Sequence, residues 1–147
     1  MSDMESLRKI RALLESVASR SSPFITQCSE TKLLAYSNRG EAYDRYRHLA
    51  KEALTVSKKV LSSDPNCQEN FKAVESAIER EKLTPDLVGA LNSLRDSYLN
   101  GVLKPALKGY LTSKSSAPTD LEALYERAFT LNGLIEVAEF FDKFDLL

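Results

Sequence analysis

The chain has 147 residues, of which 43% are hydrophobic and 28% charged, and its formal net charge is −1. This length and balance indicate one globular domain spanning residues 1–147, and the near-neutral charge excludes a strong overall field that would attract nucleic acid or an anionic membrane. The two cysteines, Cys28 and Cys67, form no Cys-x-x-Cys pair, which excludes a disulfide scaffold and favours a reducing, cytoplasmic compartment.

The first predicted element is an amphipathic helix over residues 3–20. Ser2 and Glu5 have the spacing of a capping box. The helix should end near Pro23, because proline lacks the backbone donor that a helix interior requires. Its apolar stripe is narrow, like the seam of a coiled coil, and can pack on the rest of the chain, on a second copy or on another protein. The stripe consists of Leu7, Ile10, Leu14 and Val17.

Residues 1–24 also contain several basic side chains, which makes mitochondrial import an alternative to the cytoplasm. The acidic residues Asp3, Glu5 and Glu15 argue against import, because transit peptides are poor in acids. The longest uninterrupted apolar runs are only a few residues long, so we expect no transmembrane segment.

Hydrophobic patterns with the period of an α-helix continue through residues 29–147, the predicted helical body. Ser29 is the predicted N-cap of a second helix that reaches about Leu61. The residues expected to face inward on this helix are Leu33, Tyr36, Gly40, Tyr43, Ala50 and Leu54.

Two proline-containing motifs predict the next two helices. Asp64 should cap a third helix that begins at Pro65, and Thr84 should cap a fourth that begins at Pro85. The inward residues are predicted to be Phe71, Val74 and Ile78 on the third helix, and Leu87, Leu91, Leu94 and Tyr98 on the fourth.

Pro105 should kink or split its helix, so the stretch to Leu111 is predicted as a separate short helix. After a loop at residues 112–118, Thr119 and Glu122 form a second capping box for the last helix. The inward residues of that helix are predicted to be Leu121, Leu124, Ala128, Leu131, Ile135 and Ala138. Together these elements predict an all-α domain of five to six antiparallel helices, either a helical bundle or a stack of helical hairpins.

Residues 35–66 contain four short sequence elements in a fixed order: Arg39-Gly40, Tyr43, Ala53-Leu54 and Asp64-Pro65-Asn66. This order and spacing resembles one tetratricopeptide repeat, a unit made of two packed helices. The resemblance implies that Gly40 lets the two helices approach closely and that Tyr43 fills the groove between them. No second copy is readable one repeat length downstream, at Val74, and residues 47–51 contain no turn residue. One unbroken helix is therefore the alternative to the hairpin.

The peptide-carboxylate clamp of the chaperone-binding members of that family is not part of the resemblance. A clamp would place a lysine at position 37 and an asparagine at position 41, where this chain has Ser37 and Glu41. Because Glu41 would repel a carboxylate, the resemblance implies a fold and no clamp.

Motifs for catalysis, cofactor binding or metal binding are missing from the sequence. His48 is the only histidine and has no second His or Cys at ligand spacing, and neither a G-x-S-x-G turn nor a glycine-rich phosphate loop occurs. The helical carboxylates mostly adjoin basic residues, as Glu41 adjoins Arg45 at i,i+4. We therefore predict no enzymatic activity, no cofactor and no metal.

The basic residues between Arg39 and Lys59 do not form a phosphate track. At 100° per residue they scatter around the helix, and Glu41, Asp44 and Glu52 are interleaved with them. A nucleic-acid-binding face would gather the cations on one side, so we expect no nucleic-acid partner.

The remaining prediction is a non-catalytic module that binds other proteins or itself, as an adaptor or a subunit of a larger complex. Its predicted contact residues are a polar stripe on the second helix and an apolar C-terminal cluster. They are Asn38, Glu41, Arg45, His48, Phe140, Phe141 and Phe144. The alternative is a small enzyme or small-ligand binder with a site in the bundle interior, beside Tyr36, Tyr43 or Tyr98.

Overall fold

The computed structural model of the chain describes residues 3–61, 64–80, 83–112, 119–145 and 147, and this part of the chain contains helices and turns but no strand. The prediction of an all-α fold is thus confirmed. The helices are α1 (Asp3–Leu34), α2 (Arg39–Leu61), α3 (Pro65–Glu79), α4 (Asp86–Tyr98), α5 (Lys104–Thr112) and α6 (Thr119–Lys143), with a π-helical turn at Leu99–Leu103 between α4 and α5. The predicted capping residue Ser2 and the predicted loop residues 113–118 lie outside the described residues.

Helix α6 packs against several other helices. It contacts α1, α2 and α4, and apolar side chains on several of its faces are buried. A helix that buries apolar residues on several faces has to pack against several other helices, and this arrangement is that of a bundle. The buried apolar side chains of α6 are Leu121, Ala128, Leu131, Leu134, Ile135, Val137, Ala138 and Phe141. They include every residue predicted to face inward on the last helix except Leu124, which is partly buried against the core.

Helix α1 is much longer than predicted, because it continues through Pro23 to Leu34. A proline inside a helix costs about 3 kcal/mol. The helix is held on both sides of that position: Leu13 and Val17 pack into a small cluster near its N-terminal end, and Cys28 joins the main core after the proline. Burial of these residues against α5 and α6 outweighs the local preference for a break.

Helix α1 approaches α6 closely at Gly133. A Cβ atom added to Gly133 would lie 2.9 Å from Cε1 of Phe24 and 3.4 Å from Sγ of Cys28. The first of these distances is too short for ordinary van der Waals contact, so the α1–α6 contact depends on glycine at this position.

The chain turns between α1 and α2, where an unbroken helix from Ser29 was predicted. Ser29 lies inside α1, and residues 35–38 form the turn. Asn38 caps α2, since its Oδ1 accepts a hydrogen bond from the backbone N–H of Glu41 at 3.1 Å. An asparagine at this position satisfies an otherwise unpaired donor of the first helical turn.

Because of this turn, some residues of the predicted inward stripe are exposed instead of buried. Leu33 and Tyr36 are exposed, and so is Gly40, so the prediction that they face inward is wrong. Tyr43, Ala50 and Leu54 are buried as predicted. Helix α2 runs unbroken from Arg39 to Leu61, which is the alternative to the hairpin implied by the repeat resemblance.

Helices α3 and α4 lie close to their predicted positions. Pro65 is the first residue of α3, but the carboxylate of Asp64 caps no backbone N–H and instead helps to raise the pKa of the Cys67 thiol. Helix α4 starts at Asp86, one residue after Pro85. The predicted inward residues are all buried, namely Phe71, Val74 and Ile78 on α3 and Leu87, Leu91, Leu94 and Tyr98 on α4.

Pro105 is accommodated by a change of helical register. The π-helical turn at Leu99–Leu103 precedes it, and the backbone N–H of Lys104 bonds to the carbonyl of Leu99. A π-helical turn changes which carbonyl each N–H reaches, so the chain remains helical across the proline and continues as α5. The separate short helix predicted here is therefore present, joined to α4 by this turn.

Candidate interaction surface

Most of the exposed large apolar side chains belong to α1 and the turn that follows it. Among the described residues, the exposed ones are Met4, Leu7, Ile25, Leu33, Tyr36, Val56 and Phe144. Five of them belong to α1 or to the turn that follows it, and a sixth, Phe144, contacts Tyr36. Single exposed apolar residues are common on proteins, whereas exposed apolar residues that contact one another can form a patch of the kind found at contact surfaces.

An aromatic cluster joins the turn after α1 to the end of α6. It consists of Tyr36, Phe140 and Phe144, whose ring centroids are 5.8 Å apart for Tyr36–Phe140, 6.0 Å for Tyr36–Phe144 and 4.7 Å for Phe140–Phe144. The cluster remains open to solvent, since Tyr36 is 64% exposed and Phe144 is 47% exposed. Phe140 is half-buried.

Phe141, which is predicted as a contact residue together with Phe140 and Phe144, lies in the core instead. It is fully buried, and its ring lies edge-on to Tyr43 and Tyr46 with centroids 5.7 and 5.9 Å away. The side chains of Phe140 and Phe141 point to different sides of α6 because neighbouring helical residues are 100° apart. The sequence run "FF" therefore supplies one core residue and one surface residue.

Three of the four predicted polar contact residues line one groove between α1 and α2. Glu41, Arg45 and His48 form part of its α2 wall, and the groove has a volume of about 610 Å³. Asn38 lies outside it and acts as the cap of α2. The remaining lining residues are Gln27, Glu30, Thr31, Asp44, Leu49 and Glu52.

Two pairs of polar side chains lie on the α2 wall of this groove. Arg45 lies 3.8 Å from Glu41, and Nε2 of His48 lies 3.1 Å from Oε1 of Glu52. Both pairs are on the exposed side of α2, where such contacts contribute at most about 1 kcal/mol each. They can therefore exchange for contacts with a partner at small cost.

A neighbouring arginine has a structural role that the sequence did not reveal. Nε of Arg47 donates to the carbonyl of Ile78 at 3.2 Å, and its NH2 group donates to the carbonyl of Arg80 at 2.9 Å. These carbonyls lie at the end of α3, where helices leave acceptors unsatisfied. Arg47 thus fixes the end of α3 against α2.

Both cysteine side chains are buried. Removal from water raises the pKa of the Cys28 thiol and of the Cys67 thiol to about 11. A thiol with such a pKa is protonated at neutral pH and is a poor nucleophile. The two cysteines thus act as small core residues.

Two buried tyrosines differ in their hydrogen bonding. The hydroxyl of Tyr46 donates to the carbonyl of Leu134 at 3.0 Å, whereas the hydroxyl of Tyr43 is buried with no hydrogen-bond partner in the described part of the chain. The hydroxyl of Tyr98, the other tyrosine considered for an interior site, donates to the carbonyl of Leu124. Burial raises the pKa of both Tyr46 and Tyr98 above the ordinary value for tyrosine.

Within the described ranges, no three His, Cys, Asp or Glu side chains are gathered closely enough to hold a metal ion. A membrane-spanning helix is likewise not found among the helices that the structure describes. Comparisons of the chain with protein-family models, curated proteins and solved structures give no match. The repeat resemblance accordingly stays a prediction.

Proposed function

We propose that the protein is a non-catalytic helical module that acts by binding another protein chain, as an adaptor or a subunit of a larger complex. The observation that supports this most directly is the aromatic cluster of Tyr36, Phe140 and Phe144. Aromatic residues are enriched at the centres of protein interfaces, where they bury a large apolar area at low entropic cost. In the free chain, Tyr36 and Phe144 leave this area in water.

The groove between α1 and α2 contains polar residues that follow the aromatic residue Tyr36 closely in the sequence. Tyr36 precedes Asn38 by two residues, and Asn38 in turn contacts Glu41 at the rim of the groove. An apolar patch beside exchangeable charged groups is the usual composition of an interface core and its rim. We propose that the cluster contributes most of the binding free energy and that Glu41, Arg45 and His48 contribute orientation.

The non-catalytic part of the proposal is supported by the state of the side chains that could do chemistry. The two thiols are buried and protonated at neutral pH, and His48 is an exposed residue in a surface pair with Glu52. Free buried thiols also support a reducing compartment, and we propose the cytoplasm as the location.

Affinity capture with quantitative mass spectrometry tests the proposal. The bait is the full tagged chain, compared with a Tyr36→Ser/Phe144→Ser variant. The matched control is Val56→Ser, because Val56 is exposed to a similar degree (60%) but lies on α2, outside the aromatic cluster.

We expect the wild-type chain and the Val56→Ser variant to recover one partner chain in a fixed ratio, and the double variant to lose it. Equal recovery by all three baits would show that the cluster is not the contact surface. If no bait recovers a chain reproducibly and the purified protein is strictly monomeric, the proposed function is wrong.

A further inference from the structure

Helix α1 packs on two separate clusters, and Pro23 lies between them. We define the α1 arm as residues 3–22. The buried apolar residues of the arm, Leu13 and Val17, lie in the small cluster with residues of α5 and α6, whereas Cys28, after the proline, lies in the main core. Within the described part of the arm, no buried apolar side chain belongs to the main core. Regions that bury their side chains in different clusters can open separately.

The backbone of α1 is weakest where these two parts meet. Pro23 lies inside the helix and has no N–H, so it gives no hydrogen bond to the carbonyl of Ser19, and its ring crowds that carbonyl. The hydroxyl of Ser21 is buried and has no hydrogen-bond partner in the described part of the chain, which is unfavourable compared with a hydroxyl in water. A bend at residues 19–23 would relieve both defects, because it moves the ring away from the carbonyl and exposes Ser21.

Polar contacts also hold the arm against α5 and α6, and they remain partly exposed. Nζ of Lys9 lies 4.9 Å from the ring centroid of Tyr110. The guanidinium of Arg20 lies 3.6 Å from a carboxylate oxygen of Glu122 and equally far from one of Glu126. The Arg20 side chain is 39% exposed and the two glutamates are 30% and 25% exposed, so water can replace much of this contact when the arm opens.

The closed arm covers an apolar face formed by α5 and the first half of α6. Tyr110 and Leu121 are buried beneath it. The surrounding apolar side chains are half-buried and extend the face: Ala106, Leu107, Leu111, Tyr125 and Phe129. Opening of the arm would place this face in water, so the position of the arm decides whether the face is exposed.

From these observations we infer that the α1 arm is a hinged cover, which opens at residues 19–23 while the rest of the fold stays intact and thereby controls the exposure of the apolar face of α5 and α6. In the closed state the segment that occupies the face is the arm itself. This inference goes beyond the proposed function and does not depend on it, because the aromatic cluster lies past the other end of α1.

Thiol labelling of the full-length chain tests whether the arm opens separately. Val17→Cys places a thiol in the arm at a fully buried position, and the native Cys28 is a buried thiol on the same helix beyond Pro23. Iodoacetamide is the probe, and mass spectrometry gives the rate at each position, divided by the rate in the urea-unfolded chain. We expect position 17 to react at least about tenfold faster than Cys28, since only Cys28 requires global unfolding.

Two double variants locate the opening. In Val17→Cys/Pro23→Ala, alanine supplies the missing N–H and removes the ring, so labelling at position 17 should slow by about tenfold or more. In the matched control Val17→Cys/Gly89→Ala, alanine stabilises α4, and nothing lies within 4 Å of the added Cβ. This control should slow the labelling of Cys28 by about two- to fivefold and leave position 17 unchanged, because opening of the arm leaves α4 folded.

Amide hydrogen exchange of the wild-type chain gives a readout that needs no replacement. We expect a step in protection at Pro23, with similar low values over residues 13–20 and higher values over residues 24–34. A gradual rise along α1 without a step would indicate fraying from the helix end and would overturn the hinge. Equal labelling rates at position 17 and Cys28, slowed together by Gly89→Ala, would show that the arm opens only when the whole chain unfolds and would overturn the cover.

Discussion

The ring of Tyr36 lies edge-on to the ring of Phe140, with 5.8 Å between their centroids, and connects the turn after α1 to the last turns of α6. This contact fixes the position of an aromatic side chain that is otherwise mostly in water. The aromatic residues at the end of α6 are of two kinds: some complete the core, and others remain on the surface.

The first prediction compares the stability cost of replacing a core aromatic residue with that of replacing a surface one. Phe141→Ala removes a fully buried ring and should lower the free energy of unfolding by about 3–5 kcal/mol. Phe144→Ser and Tyr36→Ser change exposed side chains and should each cost less than about 1 kcal/mol. Urea denaturation measures all three, and a large loss of stability in Tyr36→Ser would mean that the aromatic cluster is structural.

The second prediction concerns the close approach of α1 to α6. Gly133→Ala places a methyl group 2.9 Å from Phe24 and should destabilise the fold by about 1–3 kcal/mol. The matched control is Gly89→Ala in α4, where nothing lies within 4 Å of the added Cβ. The control should stabilise the helix by about 0.5–1 kcal/mol. Thermal unfolding of both variants checks the opposite signs, and equal effects would contradict the α1–α6 packing.

The third prediction compares two buried tyrosines. Tyr46→Phe removes the hydrogen bond to the carbonyl of Leu134 and should cost about 1 kcal/mol. Tyr43→Phe removes a buried hydroxyl that has no partner among the described residues and should leave stability unchanged or raise it by about 1 kcal/mol. If Tyr43→Phe is the more damaging of the two in urea denaturation, its hydroxyl is bound in solution.

The fourth prediction is a loss of stability at alkaline pH. Burial raises the pKa of Cys28 and Cys67 from the ordinary 9.0 to about 11. Between these values the unfolded chain releases the thiol protons and the folded chain keeps them, so the free energy of unfolding falls as pH rises from about 9 to about 11. The raised pKa values of Tyr46 and Tyr98 act in the same direction at still higher pH.

Urea midpoints measured across this pH range test the alkaline prediction. A Cys28→Ala/Cys67→Ala variant serves as the control, and its stability should fall less between pH 9 and 11 than that of the wild type. Parallel curves for the two proteins would show that the thiols do not contribute.

The helical periodicity of the sequence was enough to predict the fold class and most of the core. Leu87, Leu91, Leu94 and Tyr98 recur on one face of α4, and all four are buried as that spacing predicts. On α6 the predicted stripe includes five of the eight buried apolar residues but misses Leu134, Val137 and Phe141. These predictions succeed because packing of an apolar face decides where a long amphipathic helix lies.

The sequence was misleading where tertiary contacts override a local signal. Pro23 predicted the end of the first helix, but core contacts on both sides of it keep α1 continuous to Leu34. The true break is at residues 35–38, where the only local signal was Asn38, a good N-cap residue. Because the sequence misplaces the break, it assigns Leu33 and Tyr36 to the core, whereas both are exposed.

Only the three-dimensional structure shows which of the predicted contact residues line the surface groove and which have a structural role. Glu41, Arg45 and His48 share one groove, while Asn38 is a cap and Phe141 is a core residue. The predicted inward stripe of α6 ends at Ala138, and Phe141 is the next position at i+3, so the helical period favours Phe141 over Phe140 as the core residue.

Hydroxyl-radical footprinting tests most directly whether the proposed contact surface is covered by a partner. Oxidation is measured in a cell extract and in dilute purified protein, at Leu33, Tyr36 and Phe144, with Val56 as the exposed reference outside the surface. We predict that the three surface residues are oxidised more slowly in the extract, while Val56 reacts equally in both samples. Equal oxidation of all four residues in the two samples would contradict the proposal that this surface binds a partner.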